Sequence, residues 1–169
     1  LVEEVLGTID REREREIIAR RFGLFERKET LEQIGELLGI TRERVRQLEK
    51  SVVSRLRVTA EAGELPGVLG IETSVLQTLK EQGHAARITA LSGDLTEENT
   101  KTDQSRIAFL LSLCPGLVTI DEHDDFYQSV AEQGVYENEK AVKAAVAKVV
   151  DTVKKAGEPK EIADFATAL

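Results

Sequence analysis

Val2, Val5, Leu6 and Ile9 recur at the three- and four-residue spacing of one helical face. Asp10 stands where it would cap a second helix, Arg11–Phe22, which opens on alternating Arg and Glu and stops at Gly23. The alternating charges read as a solvated face of mixed sign. Thr30 caps a third helix, Gln33 completes a capping box three residues on, and Gly39 ends it. Thr41 caps a fourth helix, Arg42–Arg57, with Val45, Leu48, Val52 and Leu56 as its inner stripe. Gly63, Pro66, Gly67 and Gly70 then mark residues 58–71 as a linker or turn, with no strand before them and no Lys-Ser/Thr after them to make a phosphate loop.

Beyond the linker the pattern repeats. Val75-Leu76-Gln77-Thr78-Leu79-Lys80-Glu81-Gln82-Gly83 is matched, 74 residues later, by Val149-Val150-Asp151-Thr152-Val153-Lys154-Lys155-Ala156-Gly157. Ile88 with Ile162, and Leu91 with Phe165, follow in register. Each copy reads as helix, glycine stop, short turn and second helix. After the first copy, Asp103–Leu113 forms a third helix with Ile107, Leu110 and Leu111 inward, ended by Pro115-Gly116. Leu117–Ile120 and Phe126–Val130 read as strands around the turn Asp121–Asp125. Three helices and a hairpin describe a winged helix. The second copy reads as the start of another, or as a helical hairpin.

With 41% hydrophobic and 32% charged residues the chain folds rather than staying disordered. Aromatics are 4%, with no Trp or Met, so its cores are aliphatic. No apolar run approaches the roughly 20 residues of a membrane span. No signal peptide is visible, though a chain beginning at Leu1 reads as a possible fragment. The single cysteine, Cys114, permits no internal disulfide and suggests a reducing, cytoplasmic setting; with His84 and His123 far apart, a zinc site is not expected. The net charge of −8 conceals a polarity: residues 1–60 carry 13 Lys/Arg against 12 Asp/Glu, and residues 61–169 carry 10 against 19. DNA contact, if any, therefore belongs to the first third.

Residues 31–50 (LEQIGELLGITRERVRQLEK) meet the constraints of a helix-turn-helix. Gly39 supplies a residue that tolerates a left-handed backbone in the turn, and Gly35 a small residue for close approach. Ile34, Leu38, Ile40, Val45 and Leu48 fill the positions that point between the two helices. Arg42, Glu43, Arg44, Arg46, Gln47 and Lys50 are left on the outer face of the second, types suited to base edges and phosphates in a major groove.

VLGTIDREREREIIARRFGLF and TLEQIGELLGITRERVRQLEKSVVSRLR resemble region 4 of the primary-type bacterial sigma factors, over residues 2–57. The resemblance implies a four-helix module that reads the minus-35 promoter element in double-stranded DNA and docks on the β flap of RNA polymerase through a groove among its first three helices. Arg42, Glu43 and Gln47 match positions that reach base edges in that family; Arg44, Arg46 and Lys50 match positions nearer phosphates or polymerase-bound activators. The family's aromatic-rich melting region has no counterpart among seven scattered aromatics, so this chain is not expected to open a promoter alone.

The extension resembles tandem HARE-type winged helices, which also form the folded part of the polymerase δ subunit, through its Leu-x-x-Leu-Lys-x-x-Gly pattern and the run Cys114–Val118. Its third helix offers Arg106 as the main cation. Its wing turn holds Asp121, Glu122, Asp124 and Asp125, which phosphates would repel, so a protein contact or spacer role is expected. No enzyme is expected: Asp121, His123 and Ser129 lie close in sequence without triad geometry, and the acidic turn lacks the ligand spacing of a calcium loop. His84 and His123 read as surface residues and Cys114 as buried filler. The expected fold is mainly α. Residues 1–59 form the helix-turn-helix module, 60–71 a linker, 72–133 an acidic winged helix and 134–169 the two-helix start of a second one. The expected function is sequence-specific promoter binding by a sigma factor fragment or sigma-like regulator, without cofactor or metal. The alternative is a polymerase-associated adaptor, whose acidic winged helix contacts a further protein and which has little DNA specificity.

Overall fold

The computed structural model describes residues 1–124 and 126–157. The first four helices are α1 (Val2–Gly7), α2 (Glu12–Phe22), α3 (Leu31–Leu38) and α4 (Arg42–Glu61). Thr30 and Gln33 form both bonds of the capping box: the Gln33 amide donates to Thr30 Oγ1 at 3.2 Å and the Thr30 amide to Gln33 Oε1 at 2.8 Å. The Thr41 hydroxyl accepts from the Arg44 amide at 3.2 Å. Asp10 does not cap α2. Arg11 holds that position without a side-chain bond to the backbone, and Glu12 and Glu14 face the positive helix end instead.

The alternating charges of α2 are not wholly solvated. Glu14 is only 5% exposed, accepting from Arg11 Nη1 at 3.3 Å and from Arg55 Nη2 on α4. A carboxylate withdrawn from water needs such a cation, and this one comes from another helix.

The turn between α3 and α4 depends on two glycines for different reasons. Gly39 has φ +64°, a conformation that strains any side chain, yet nothing lies within 4 Å of where its Cβ would stand. Gly35 has ordinary helical backbone, but a Cβ there would lie 2.7 Å from the Ile40 carbonyl oxygen. Ile34 and Val45 are fully buried, and Leu38, Ile40 and Leu48 pack on them as expected. Ile17 of α2 and Leu31 complete this small cluster.

α4 runs one turn past its expected end, and the expected linker is mostly helix. Only 62–65 turn, with Gly63 at φ +79°, before α5 (Pro66–Glu81) begins on a proline, which suits a first helical turn. Gly67 lies under the Leu1 side chain, a close approach that local composition does not reveal. There follow β1 (Ala85–Arg87), α6 (Ile88–Leu95), α7 (Lys101–Leu113), β2 (Leu117–Ile120), β3 (Ser129–Glu132) and α8 (Glu139–Ala156). α7 starts two residues earlier than expected because Thr100 and Asp103 form a second capping box.

The sheet is antiparallel in the order β1-β3-β2, with Ser129 opposite both Arg87 and Ile120. β3 is displaced from the expected Phe126–Val130 because it must pair on both sides, and β1 goes no further than Ala85–Arg87. β1 itself is absent from the sequence reading: Ala-Ala-Arg carries no strand pattern. Ile120 and Ala131 of the sheet bury Val142 of α8. The turn and second helix expected after Gly157, including Ile162 and Phe165, lie outside the described residues.

The two halves share one core. Val52, Leu56 and Ala60 of α4 pack in the same cluster as Val68, Leu79 and Leu110. Phe22 of α2 meets Phe109 of α7 with ring centroids 4.9 Å apart. Arg106, the main cation of the expected third helix, ties the halves together: its Nε donates to the Leu24 carbonyl at 2.8 Å and its guanidinium lies 5.7 Å from the centre of the Phe25 ring. Glu72, 8% exposed, accepts from the Gly116 amide and anchors the approach to β2. Cys114 is fully buried, and that burial pushes its thiol up to about 12. Among the described residues no helix is long and apolar enough to cross a membrane.

The two glycines separate experimentally. Urea denaturation should show Gly39→Ala less stable by about 1–2 kcal/mol from the left-handed backbone alone. Gly35→Ala should cost more, because a backbone carbonyl must move. Gly7→Ala, with nothing within 4 Å of its Cβ and no positive φ, should be neutral or better. A Gly35→Ala protein as stable as the parent would contradict the close approach.

Candidate nucleic-acid interface

Thr41 and Gly39 set where α4 begins, and the stripe Val45-Leu48-Val52-Leu56 sets which side faces inward. What remains outward is fixed by helical geometry. Arg42, Arg46 and Lys50 stand at four-residue spacing with Glu43 and Gln47 beside them and Arg44 at the flank, and all six are exposed.

The outward side chains are held by one another. Glu43 accepts from Arg46 Nε at 2.8 Å and Nη2 at 2.7 Å, and from Gln47 Nε2 at 3.2 Å. Arg44 Nη1 donates to Gln47 Oε1 at 3.4 Å. Arg42 pairs with Glu32 of α3 at 2.7 Å. The Arg46 guanidinium holds the Glu43 carboxyl down to about 2, so the pair is fully charged at neutral pH. These bonds lie in water, where they orient side chains without committing them, and can be exchanged for base edges or phosphates at small cost.

A cleft of about 480 Å³ opens beside this face, between α4 and the second half of the molecule. Its α4 wall carries Arg46, Lys50 and Arg57, with Arg21 and Lys28 from the first half and Asp121, Thr119 and Gln128 from the sheet and its tip. Arg21 pairs with Glu49 at 3.3 Å, and Arg57 Nη2 donates to the Cys114 carbonyl at 3.4 Å. Lys28 and Arg57 were not among the expected site residues. Arg57 lies seven residues beyond Lys50, two turns along the same face, so the spacing was a usable signal; Lys28 had none, because its position depends on the loop after α2.

The acidic turn stands close to this basic ground. Asp121 lines the cleft with Lys50, and Glu122 lines a neighbouring one with Arg27, Lys28 and Lys101. His123 packs on Phe126 with centroids 5.1 Å apart and bridges it through the backbone. His84, at φ +68°, has its Nδ1 2.7 Å from Glu132 Oε2. Among the described residues, no group of three or more His, Cys, Asp or Glu is gathered to hold a metal ion.

The first third of the chain is similar to several RNA polymerase sigma factors. Over 58 residues it is 50% identical to sigma factor RpoD of Helicobacter pylori, covering 33% of this chain and 8% of that protein. Over 72 residues it is 44% identical to sigma factor RpoS of Coxiella burnetii, covering 42% of this chain and 19% of that one. Over 69 residues it is 41% identical to sigma factor SigA of a Bacillus species, covering 40% and 18%. The chain thus spans less than a fifth of the length of these curated relatives. The segment that folds as α2 to α4 and presents the outward face, residues 11–58, matches the family model for Sigma-70, region 4.

Proposed function

We propose that this chain binds double-stranded promoter DNA in a sequence-dependent way, as part of a sigma factor or as a sigma-like regulator, with α4 in the major groove at a minus-35-type element. The observation that carries the proposal is the outward face of α4. Six polar side chains suited to base edges and phosphates project from a helix whose start and rotation are fixed by Thr41, Gly39, Gly35 and the buried stripe. Arg42, Glu43 and Gln47 are assigned to base edges. Arg44, Arg46 and Lys50 are assigned to phosphates, with Lys28 and Arg57 extending that path. The similarity of residues 11–58 to RNA polymerase sigma factors supports RNA polymerase as the protein partner, and the β flap is proposed as its docking point. The role is one of binding rather than catalysis, in the cytoplasm where promoters are.

The order helix–strand–helix–helix–strand–strand over residues 66–132, with β3 central, supports reading the second half as a winged helix. Its Arg106 is spent on Leu24 and its tip is acidic, so this module is assigned to protein contact and spacing.

Readout and anchoring should come apart in titrations of duplexes enriched from random sequence against scrambled ones. Arg42→Ala and Gln47→Ala should each reduce discrimination by about 1–3 kcal/mol. Lys50→Ala should weaken binding to both duplexes alike and lower the salt slope by about 1. An Arg42→Ala protein with unchanged discrimination would remove α4 from the groove. Failure to enrich any duplex would favour the polymerase-associated adaptor.

The acidic turn should oppose binding, since it adds negative potential beside Lys50 and Lys28. Asp121→Asn, Glu122→Gln and Asp124→Asn together should tighten DNA binding severalfold near 0.01 M salt, where the Debye length is about 30 Å, and the gain should shrink as salt rises. Unchanged or weaker binding at low salt would mean the turn does not act on the DNA site.

A further inference from the structure

A second cleft, of about 550 Å³, is shared by the loop after α2, the starts of α6 and α7, and the segment leading into β3. Its volume falls in the range of small-ligand pockets, roughly 300–1,000 Å³. Three cations line it: Arg27 and Lys28 from the loop, and Lys101 from the first turn of α7. Carboxylates outnumber Lys and Arg in this chain by 31 to 23, yet among the described residues none of the three cations pairs with one. Thr102 and Ser105, three residues apart on α7, add half-buried hydroxyls that bond to nothing in the protein. Unpaired cations gathered with unused hydroxyls are the equipment of a phosphate site.

The rest of the lining is of another kind. Ile88, 2% exposed, contributes an apolar wall. Tyr127 is 60% exposed, with the Arg87 guanidinium 4.0 Å from its ring centre, and so presents an ordered aromatic surface. Such a ring stacks a nucleobase of any type. Glu122 and Gln128 are also without a side-chain partner. A carboxylate accepts from sugar hydroxyls and repels phosphate, so Glu122 sets the polarity of a bound ligand. A recess of this size takes a small molecule rather than a duplex, whose own grooves must receive the protein.

We propose that this cleft binds a nucleoside diphosphate or triphosphate, its phosphates on Arg27, Lys28, Lys101 and the two hydroxyls and its base on Tyr127. The proposal is independent of the role given to α4; Lys28 lines both clefts and is left out of the test. Calorimetric titration of the full chain with ADP, GDP, CDP and UDP should show saturable one-to-one binding of at least one of them. Its amide shifts should gather at residues 26–28, 88–89 and 101–105. Arg27→Ala and Lys101→Ala should each weaken it by about tenfold or more. Tyr127→Ala should weaken the nucleotide severalfold and leave pyrophosphate unchanged. Lys80→Ala, which removes an exposed cation of α5 outside the cleft, should change neither. Absence of saturable binding by all four nucleotides below about 1 mM would overturn the proposal. So would an equal loss from Lys80→Ala, which would reduce the effect to overall charge, or full nucleotide affinity in Tyr127→Ala. A random-sequence duplex that produced these shifts where the nucleotides did not would assign the cleft to DNA backbone instead.

Discussion

The packing of α4 into the core of the second half is the interaction on which the rest depends. α4 is a single helix of 20 residues, about 30 Å long, and its two ends do different work. Its first three turns present Arg42 to Lys50 to solvent, while Val52, Leu56 and Ala60 are sealed among residues of α5 and α7. The small cluster of Ile17, Ile34 and Val45 that supports the helix-turn-helix could not fix the direction of such a helix by itself. The larger core does so, reinforced by Phe22 on Phe109 and by Arg106 on the Leu24 carbonyl. The outward face and the acidic turn are therefore held in one frame rather than joined by a tether.

That frame gives the charge polarity a geometric meaning. A first third near neutrality presents its cations outward on α4 and along the cleft, and the acidic remainder brings Asp121 and Glu122 to the edge of the same ground. Positive and negative potential originate within one body. Their balance follows ionic strength, and a protein partner that shifted or covered the acidic tip would tilt it. The pairs among Arg42, Glu32, Glu43, Arg46 and Gln47 lie on the same face, where these side chains are held by one another in water.

What could be read from the sequence is what short-range geometry dictates. Thr30 with Gln33, Thr41, and Gly39 sit at positions where one residue type satisfies one backbone requirement, and the five apolar residues of the turn follow from helical spacing. The outward face of α4 is their complement. What escaped is what distant residues decide. Glu14 is buried because Arg55 reaches it from 41 residues away. Gly67 and Gly70 look like breakers, yet Pro66 starts a helix over them and Leu1 closes on Gly67. β1 exists only because β3 pairs with it, and Arg106 looks like a free surface cation until the loop after α2 folds against it. Lys28 joins the cleft through the same loop.

Native-state hydrogen exchange of the full chain tests the central claim most directly. If α4 is continuous and its second half belongs to the shared core, the amides of Val52, Leu56 and Ala60 should exchange with the same free energy as those of Phe109 and Leu111 in α7, through global unfolding alone. Exchange at those three α4 amides with a free energy well below that of the α7 amides would show a first half that opens independently, and would contradict the single frame.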